Sequence, residues 1–219
     1  ASVVENPLTE DVGGAVGRVL KMSISKDSSA SQPITNKIVP ANLTKAQDED
    51  GNLVEKHGTY VFSYDVRYDN LGTVSGDTVI TDVIFNHGPD SNRSKSYWNF
   101  FSISLGADGK FKLKVNNNQK GTPNRDFVCA GLDLGDGKWH NLRFVVEKAG
   151  ADSVTSVFLD DVCVINRLNC YYISDDTEAN TYLSDVYFRQ RKMAFDYDVY
   201  YDNIYFEYVG DYDFVPDAY

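Results

Sequence analysis

Long hydrophobic runs are absent from this sequence, and so is an excess of positive charge. No apolar stretch approaches the roughly 20 residues that a membrane-spanning helix needs, so membrane insertion is not expected. Acidic residues outnumber basic residues by 32 to 21, which gives a net charge of −11 at pH 7. Such an excess repels the phosphates of nucleic acids, so a nucleic-acid partner is not expected either. The same composition suits a secreted or cell-surface domain.

Motifs of the common enzyme classes are also missing. The sequence has no Cys-x-x-Cys or histidine-rich cluster for zinc, no Gly-x-Ser-x-Gly elbow, no Walker loop and no dinucleotide-binding glycine pattern. It has no Glu-x-Asp-x-Glu strand, whose outer carboxylates would share one face as nucleophile and acid. The densest carboxylate stretch, residues 48–55, contains Gly51 and Asn52 and is expected to be a solvated loop. These absences favour a non-catalytic function.

Cysteine is scarce, with one residue at each of positions 129, 163 and 170. Cys163 and Cys170 bracket six residues and could close a small loop, which would leave Cys129 free. Three buried thiols are an equal alternative. The sequence leaves the pairing open.

Strand patterns dominate the chain. It contains 15 tyrosines and 12 phenylalanines, whose rings fit a pleated, half-buried surface. Large side chains occupy every second position in residues 58–69, and most residues between them are polar, which predicts a strand with one buried face. The residues on that face are Tyr60, Phe62, Tyr64, Val66 and Tyr68. About ten such segments follow one another, with a tight hairpin expected at Gly106–Gly109.

The succession of strands predicts an all-β fold, an antiparallel two-sheet sandwich. No long amphipathic helix and no internal repeat interrupts it, so residues 1–219 are expected to form one domain with short extended termini. The first and last strands, residues 17–25 and 198–209, are expected to lie side by side, because each would otherwise be an unpaired edge.

A family resemblance rests on the segments "GDGKWHNL", "RFVVEK" and "VFLDDVCV". This succession resembles the concanavalin A-like lectin/glucanase superfamily, in particular its laminin-G-like jelly rolls, although Asp161 stands where the family usually has glycine. The segments "FSISLGADGKFKL" and "YYDNIYFEYV" are similar to further strands of that fold, and together the resemblance covers residues 15–210. It implies a jelly-roll sandwich in which Trp139 fills the core. It leaves open whether the protein is a lectin, a binding module, an adhesion domain, a glycosidase or a lyase.

Sugar binding needs an aromatic platform with a few polar groups around it. A polar loop and the strand after it offer a histidine and two aromatic residues, and the segment "DVYFRQRKM" offers a tyrosine and two arginines on one strand face. Another arginine lies on the polar face of its own strand. The candidate ligand-binding residues are Arg67, His87, Tyr97, Trp98, Tyr187, Arg189 and Arg191.

A structural calcium ion is a further implication of the resemblance, because jelly rolls of this kind often bind one where the N-terminal segment meets the closing strand. Glu5 and Asp202 match those places in kind. Calcium takes about six to eight oxygen ligands, so backbone carbonyls would have to complete such a site.

The sequence therefore predicts a non-catalytic carbohydrate-binding module of a larger secreted or cell-surface protein of bacterial type, with a polysaccharide or oligosaccharide as partner. One alternative is a polysaccharide lyase or glycoside hydrolase of the same fold, with Arg67, His87, Tyr187 and Arg189 converging in one cleft. Another is a protein-binding adhesion domain, which would present a broad exposed patch instead of a groove.

Overall fold

The computed structural model describes residues 2–5, 18–32, 34–38, 45–47, 50, 53–55, 58–87, 97–117, 125–147, 153–168, 171–173 and 183–210. No helix in these ranges is long and apolar enough to cross a membrane. The strands are β1 (Ser2–Glu5), β2 (Arg18–Ile24), β3 (Ile34–Ile38), β4 (Lys45–Gln47), β5 (Leu53–Glu55), β6 (Thr59–Asp69), β7 (Thr78–His87), β8 (Tyr97–Leu105), β9 (Phe111–Asn117), β10 (Arg125–Leu132), β11 (His140–Glu147), β12 (Val154–Leu159), β13 (Val162–Leu168), β14 (Tyr171–Ile173), β15 (Leu183–Gln190) and β16 (Tyr197–Gly210).

The strands form two large antiparallel sheets and one small hairpin. Sheet A has the order β1-β2-β16-β6-β11-β12-β13. Sheet B has the order β10-β9-β8-β7-β15-β3, with β14 paired to β8. The predicted all-β jelly-roll sandwich is confirmed, and β2 lies beside β16, as predicted for the first and last long strands.

The predicted alternation of β6 is confirmed. Its large side chains Tyr60, Phe62, Tyr64, Val66 and Tyr68 are all buried in the core between the sheets. The opposite face of β6 is polar and includes a buried carboxylate at Asp65. The side-chain amides of Asn141 and Asn203 donate hydrogen bonds of 2.8 and 2.6 Å to it, which offset its desolvation.

Aromatic rings from both sheets meet in the core. The Phe62 ring of β6 lies 5.9 Å from the Phe85 ring of β7 and 5.8 Å from the Phe188 ring of β15, centroid to centroid. Tyr64 lies 5.7 Å from Phe188 and 5.5 Å from Tyr201. Each such contact contributes about 0.5–1.5 kcal/mol beyond the area that it buries. These ring contacts therefore hold the two sheets together across the core.

A chain of hydrogen bonds also joins the sheets inside the core. The Tyr68 hydroxyl lies 2.8 Å from Thr81 Oγ1, which donates to Gln190 Oε1 at 2.8 Å. The Gln190 amide in turn donates to the Tyr201 hydroxyl. These bonds hold Gln190 inward, so its neighbours Arg189 and Arg191 are left to the outer side of sheet B.

The turns confirm one prediction and correct another. At the Gly106–Gly109 hairpin, the Gly109 amide donates to the Gly106 carbonyl at 2.9 Å. After β11, the strands β12 and β13 are joined by a tight hairpin, where Asp160 and Asp161 both adopt positive φ values (49° and 65°). The acidic stretch expected to be a solvated loop contains β5, which pairs with β4.

Trp139 is buried, but its predicted place in the main core is wrong. Its indole packs in a small separate cluster with Val19 and Tyr200. The physical reason is the two-residue period of β11: Leu142 and Phe144 face the main core, so the residue just before the strand falls on the other side of sheet A.

Cys163 is a free thiol that donates a hydrogen bond to the Ile165 carbonyl at 3.3 Å. The bridge that would have joined it to Cys170 is therefore not formed. The side chains of Cys129 and Cys170 lie outside the described residues.

Candidate functional site

One row of polar side chains crosses four strands of sheet B. In the backbone register, Arg189 of β15 pairs with Asp82 of β7, Asp82 pairs with Ser102 of β8, and Ser102 pairs with Lys114 of β9. Residues directly opposite one another in antiparallel strands share a face of the sheet. The alternate residues of these strands, such as Val83, belong to the core. The row therefore lies on the outer face of sheet B.

An arginine cluster, made of Asp82, Ser102, Arg189 and Arg191, occupies one end of this row. The Asp82 carboxylate has no exposed surface, yet it faces away from the core. Arg191 donates to Asp82 Oδ2 through Nε at 2.6 Å, and Arg189 Nη2 lies 3.3 Å from the same oxygen. Ser102 Oγ donates to Asp82 Oδ1 at 3.0 Å. Two cations thus share the Asp82 carboxylate.

A lysine cluster, made of Asp77, Lys112 and Lys114, occupies the other end. Lys112 Nζ lies 2.9 Å and Lys114 Nζ lies 3.7 Å from the Asp77 carboxylate. The hydrogen bond from Lys112 is the main cause that holds the pKa of Asp77 below its usual range, and the same bond raises the pKa of Lys112. Here too, two cations share one carboxylate.

Ser104 lies beside the lysine cluster, since it pairs with Lys112 in the register. Its side chain is fully buried, and its hydroxyl has no hydrogen-bond partner among the described residues. An unpaired buried hydroxyl costs about 1–3 kcal/mol. Such an atom on the outer side of a sheet is a place where a ligand would supply the missing partner.

An aromatic side chain adjoins the row. Tyr187 is two residues from Arg189 on β15, so it shares the outer face, and it pairs with Ile84 of β7. One row further along, the Asn86 amide donates a hydrogen bond to the Asp185 carboxylate. The face thus combines cations, a hydroxyl, an amide and a phenol ring.

Three candidates from the sequence can be placed only by their backbones. Trp98 pairs with Asn86 and with Tyr172, which puts its backbone in the row next to that of Tyr187. His87 pairs with Tyr97 at the ends of β7 and β8. The side chains of His87, Tyr97 and Trp98 lie outside the described residues.

Arg67 does not join this face. It lies on β6 of sheet A, where its guanidinium makes a two-pronged contact with the Asp69 carboxylate at 2.8 and 3.0 Å. Its Cζ lies 5.9 Å from the ring centroid of Tyr200. The predicted convergence of Arg67 with Tyr187 and Arg189 is therefore wrong, because the fold places them on different sheets.

The predicted calcium ligands are not neighbours either. Glu5 of β1 pairs with Arg18 of β2, and β2 separates β1 from β16, which carries Asp202. One Asp202 oxygen accepts a hydrogen bond from the backbone amide of Asn203 at 2.7 Å, and the other has no hydrogen-bond partner among the residues that the structure describes. No group of three or more His, Cys, Asp or Glu side chains in the described part of the chain is placed to hold a metal. Calcium stays a prediction, because the side chain of Glu5 lies outside the described residues.

A cavity of about 380 Å³ opens at one end of sheet A. Asp198 lines it, and both carboxylate oxygens of Asp198 are already engaged, one by Ser23 at 2.6 Å and the other by Asn70 at 3.0 Å and Lys21 at 3.0 Å. The Asp198 carboxylate thus has partners for both oxygens, whereas the Ser104 hydroxyl on sheet B has no hydrogen-bond partner among the described residues.

Sequence reasoning missed three of the four residues in the sheet B row. Asp82, Ser102 and Lys114 were not among the candidates. Two signals were present: an aspartate in the middle of the apolar strand "VITDVIF", and lysines at every second position of "FKLKV". What was missing was the register that brings these strands together.

Comparisons with known proteins support the fold only. No family model matches the sequence, and no curated protein sequence is significantly similar to it. Among solved structures, the cellulose-induced protein Cip1 has a TM-score of 0.51 at 10% identity, covering 94% of this chain and 84% of that one. The alginate lyase vAL-1 from Chlorella virus has a TM-score of 0.46 at 11% identity, covering 94% and 88%.

A third similar structure is the binding domain of botulinum neurotoxin DC, with a TM-score of 0.39 at 12% identity. The match covers 89% of this chain but only 44% of the neurotoxin chain. At these identities the likeness extends to the folding pattern. The class of fold that the two sheets define is a jelly-roll sandwich.

Proposed function

We propose that this chain is a non-catalytic carbohydrate-binding module of a secreted or cell-surface protein, and that its glycan lies on the outer face of sheet B. The observation that carries the proposal is the row of Arg189, Asp82, Ser102 and Lys114 across four strands. Sugar hydroxyls need donors and acceptors in fixed positions, and this row supplies both.

The arrangement favours binding because its groups are held before any ligand arrives. Asp82 is fixed by two arginines and a serine, so little side-chain freedom remains to be lost on association. The phenol ring of Tyr187 lies beside the row and offers an apolar surface for sugar C–H groups.

The same contacts argue against the catalytic alternatives. A lyase of the kind considered above needs Arg67 near Tyr187 and Arg189, and Arg67 is bound to Asp69 on the other sheet. A hydrolase needs a carboxylate that reaches the glycosidic oxygen. Asp82 is fully buried under two arginines and a serine, which supports a structural role for this carboxylate within a binding surface.

Affinity electrophoresis of the purified chain against neutral and uronic-acid polysaccharides tests the proposal. We expect retention, and we expect Arg189→Gln and Tyr187→Ala each to weaken it at least about tenfold, because a hydrogen bond to a charged group contributes about 1.5–3 kcal/mol. Arg67→Gln is the matched control, since it removes an ion-paired arginine from the other sheet. Thermal unfolding of each variant checks that it is folded.

Equal weakening by Arg67→Gln, or no retention by any glycan, would overturn the proposal. Release of an unsaturated sugar product, followed by ultraviolet absorbance, would replace it with a lyase. Repeating the electrophoresis in chelator tests the calcium prediction separately, since loss of retention there would implicate an ion.

A further inference from the structure

A buried chain of hydrogen bonds lies on the core side of the two strands that carry the aspartate and the arginines of the arginine cluster. Its members are Tyr68, Thr81, Gln190 and Tyr201. We propose that this buried chain positions the arginine cluster, so that glycan affinity at the outer face of sheet B depends on hydroxyl groups in the core. The inference rests on the proposed function and adds the residues that hold its binding groups in place.

The strand register connects the buried chain to the cluster. Thr81 of β7 pairs with Gln190 of β15. The next pair along the same two strands is Asp82 with Arg189. Successive residues of a strand point to opposite faces, so the first pair faces the core and the second faces outward. The hydrogen bond from Thr81 Oγ1 to Gln190 Oε1, at 2.8 Å, therefore fixes the two strands one residue away from the ion pair.

The backbone ladder is irregular at this point and needs such support. The pairing of β7 with β8 shifts between Val79 and Thr81, and the extra residue, Ile80, is buried in the core next to Thr81. A slip of one residue in the pairing of a strand exchanges its two faces. Here it would turn Asp82 toward the core and Thr81 toward solvent. A hydrogen-bond partner for Thr81 inside the core opposes that slip.

Arg191 depends most on this support. β15 ends at Gln190, so Arg191 lies just beyond the last pair of the ladder. Its backbone amide donates to the Ile80 carbonyl at 2.8 Å, and its carbonyl accepts from the Tyr197 hydroxyl at 2.8 Å. Its side chain is 27% exposed and reaches back to Asp82 on the outer face. Because Gln190 is held inward by two hydrogen bonds, it fixes the direction in which Arg191 leaves the strand.

The buried chain is complete without any contribution from solvent. The Thr81 hydroxyl has one proton, which it donates to Gln190, so its oxygen accepts from the Tyr68 hydroxyl. The Gln190 amide donates to the Tyr201 hydroxyl. Burial raises the pKa of both phenols, so neither loses its proton at neutral pH. Buried polar networks whose members are satisfied make a core rigid, and a rigid support keeps binding groups in their productive geometry.

Nitrogen-15 NMR of the unliganded chain tests the positioning first. Thr81→Val keeps the approximate shape of the side chain and removes its hydroxyl. We expect this variant to shift or broaden the Arg191 Nε–H resonance, because that group donates to Asp82. Thr81→Ser keeps the hydroxyl and should restore the resonance of the wild type.

Two tyrosines of β6 supply a matched control. Tyr68 and Tyr64 are both buried, but the Tyr64 hydroxyl has no hydrogen-bond partner among the described residues. Tyr68→Phe and Tyr64→Phe therefore remove the same atom, once from the buried chain and once beside it. Only Tyr68→Phe should change the Arg191 resonance.

Titration with an oligogalacturonate and with a neutral cello-oligosaccharide then measures the effect on binding. Thr81→Val should weaken binding of the tighter probe about 2- to 12-fold, the range expected when binding must immobilise one more long side chain. In a chain that already carries Arg191→Gln, Thr81→Val should cause no further loss. A general loosening of the core would instead weaken binding equally in both backgrounds. Thermal unfolding of each variant checks that it is folded.

The outcomes separate this inference from the proposed function. An Arg191 resonance that Thr81→Val leaves unchanged, or that Tyr64→Phe changes equally, would overturn the positioning and leave the proposed function standing. An equal loss of affinity in the two backgrounds would also overturn it. If neither probe bound while the Arg191 resonance responded as expected, the proposed function would be contradicted and the positioning of the cluster supported.

Discussion

The two outer faces of the sandwich use the same residue types in different proportions. On sheet A, two ion pairs each join one cation to one carboxylate, Arg67 to Asp69 and Lys21 to Asp198, and the Asp65 carboxylate accepts hydrogen bonds from two side-chain amides. On sheet B, Asp82 and Asp77 each contact two cations, and the Asp185 carboxylate accepts a hydrogen bond from the Asn86 amide. A carboxylate that two cations and a serine hold in place is fixed before a ligand arrives, which suits a binding face. The comparison teaches that the grouping of the charged side chains, more than their number, distinguishes the candidate binding face.

The aromatic residues divide in the opposite way. On sheet A, Trp139 and Tyr200 are buried in their own small cluster with Val19, and the ammonium of Lys21 lies 5.3 Å from the Tyr200 ring. On sheet B, Tyr187 is half-buried. Sheet A therefore buries these two rings, although Tyr205 of β16 is 49% exposed, and sheet B leaves the Tyr187 ring partly exposed beside the polar row.

The largest expected difference between the faces is in the stability that is lost when one carboxylate is removed from each, Asp82 from sheet B and Asp69 from sheet A. Asp82→Ala should lower the free energy of unfolding by about 3 kcal/mol, because removing one partner of a buried charge pair leaves Arg189 and Arg191 uncompensated. Asp69→Ala should cost less than about 1 kcal/mol, as partly exposed pairs usually do. Urea unfolding of both variants measures the difference, and equal losses would contradict the burial of Asp82.

A second contrast concerns the aromatic residues. Trp139→Ala should destabilise the protein by about 3 kcal/mol and leave glycan retention unchanged. Tyr187→Ala should cost about 1 kcal/mol or less and reduce retention. Urea unfolding and affinity electrophoresis of the same two samples make the test. If both variants lost stability and neither lost glycan retention, the distinction between the two faces would be wrong.

At the rim of sheet A, His140 lies between two carboxylates, and the third prediction concerns the stability that it contributes there. Its Nδ1 is 2.7 Å from Asp160 and its Nε2 is 2.9 Å from Asp136. Burial opposes the charged ring, but the hydrogen bonds and charges of Asp160 and Asp136 outweigh it and raise the pKa of His140. A raised pKa in the folded state means that this stabilisation is complete below about pH 6.5 and is lost as the pH rises through the folded pKa.

His140→Gln should therefore remove about 1 kcal/mol of stability at pH 5.5 and less at pH 8.5, on the scale of about 1–3 kcal/mol for charged hydrogen bonds. Urea unfolding at the two pH values measures this, and the difference between wild type and variant cancels the other histidines. A stability difference between wild type and His140→Gln that grows with pH would contradict this prediction. Glycan retention should be unaffected, since the site lies on sheet B.

The smallest expected effect is at the turn between β12 and β13. Asp161 has a φ of 65°, a conformation that glycine adopts without strain, and its side chain is 83% exposed. Asp161→Gly should raise the free energy of unfolding by about 0.5 kcal/mol, because relief of left-handed strain exceeds the loss of an exposed ion pair with Arg143. Thermal unfolding checks it, and a decrease in stability would show that the ion pair matters more.

The fold was predictable because its signals are local. The alternation of Tyr60 to Tyr68 and the glycines at 106 and 109 each act within a few residues, and the resemblance around Trp139 pointed to the right architecture. The candidate site was only partly predictable because it depends on register. Arg67 and Arg189 look alike in sequence, each on the polar side of an alternating strand, and only the topology assigns them to different sheets.

Asp82 could not be identified from the sequence for the same reason, since its partners are distant in the chain. In sequence it is a single polar residue in an apolar strand, and the arginines that surround it lie more than 100 positions away. Tyr187, Arg189 and Arg191 were identified because they are close together in the chain. Their partners became visible only once β7, β8 and β9 were placed beside β15.

Nitrogen-15 NMR of the labelled chain, titrated with an oligogalacturonate and then with a neutral cello-oligosaccharide, tests the central claim most directly. The account predicts that ligand shifts resonances of β7, β8, β9 and β15, including the side-chain Nε–H groups of Arg189 and Arg191. It predicts that the surroundings of Arg67 and Tyr200 on sheet A do not respond. Shifts confined to sheet A, or none with either probe, would contradict the assignment of glycan binding to the outer face of sheet B.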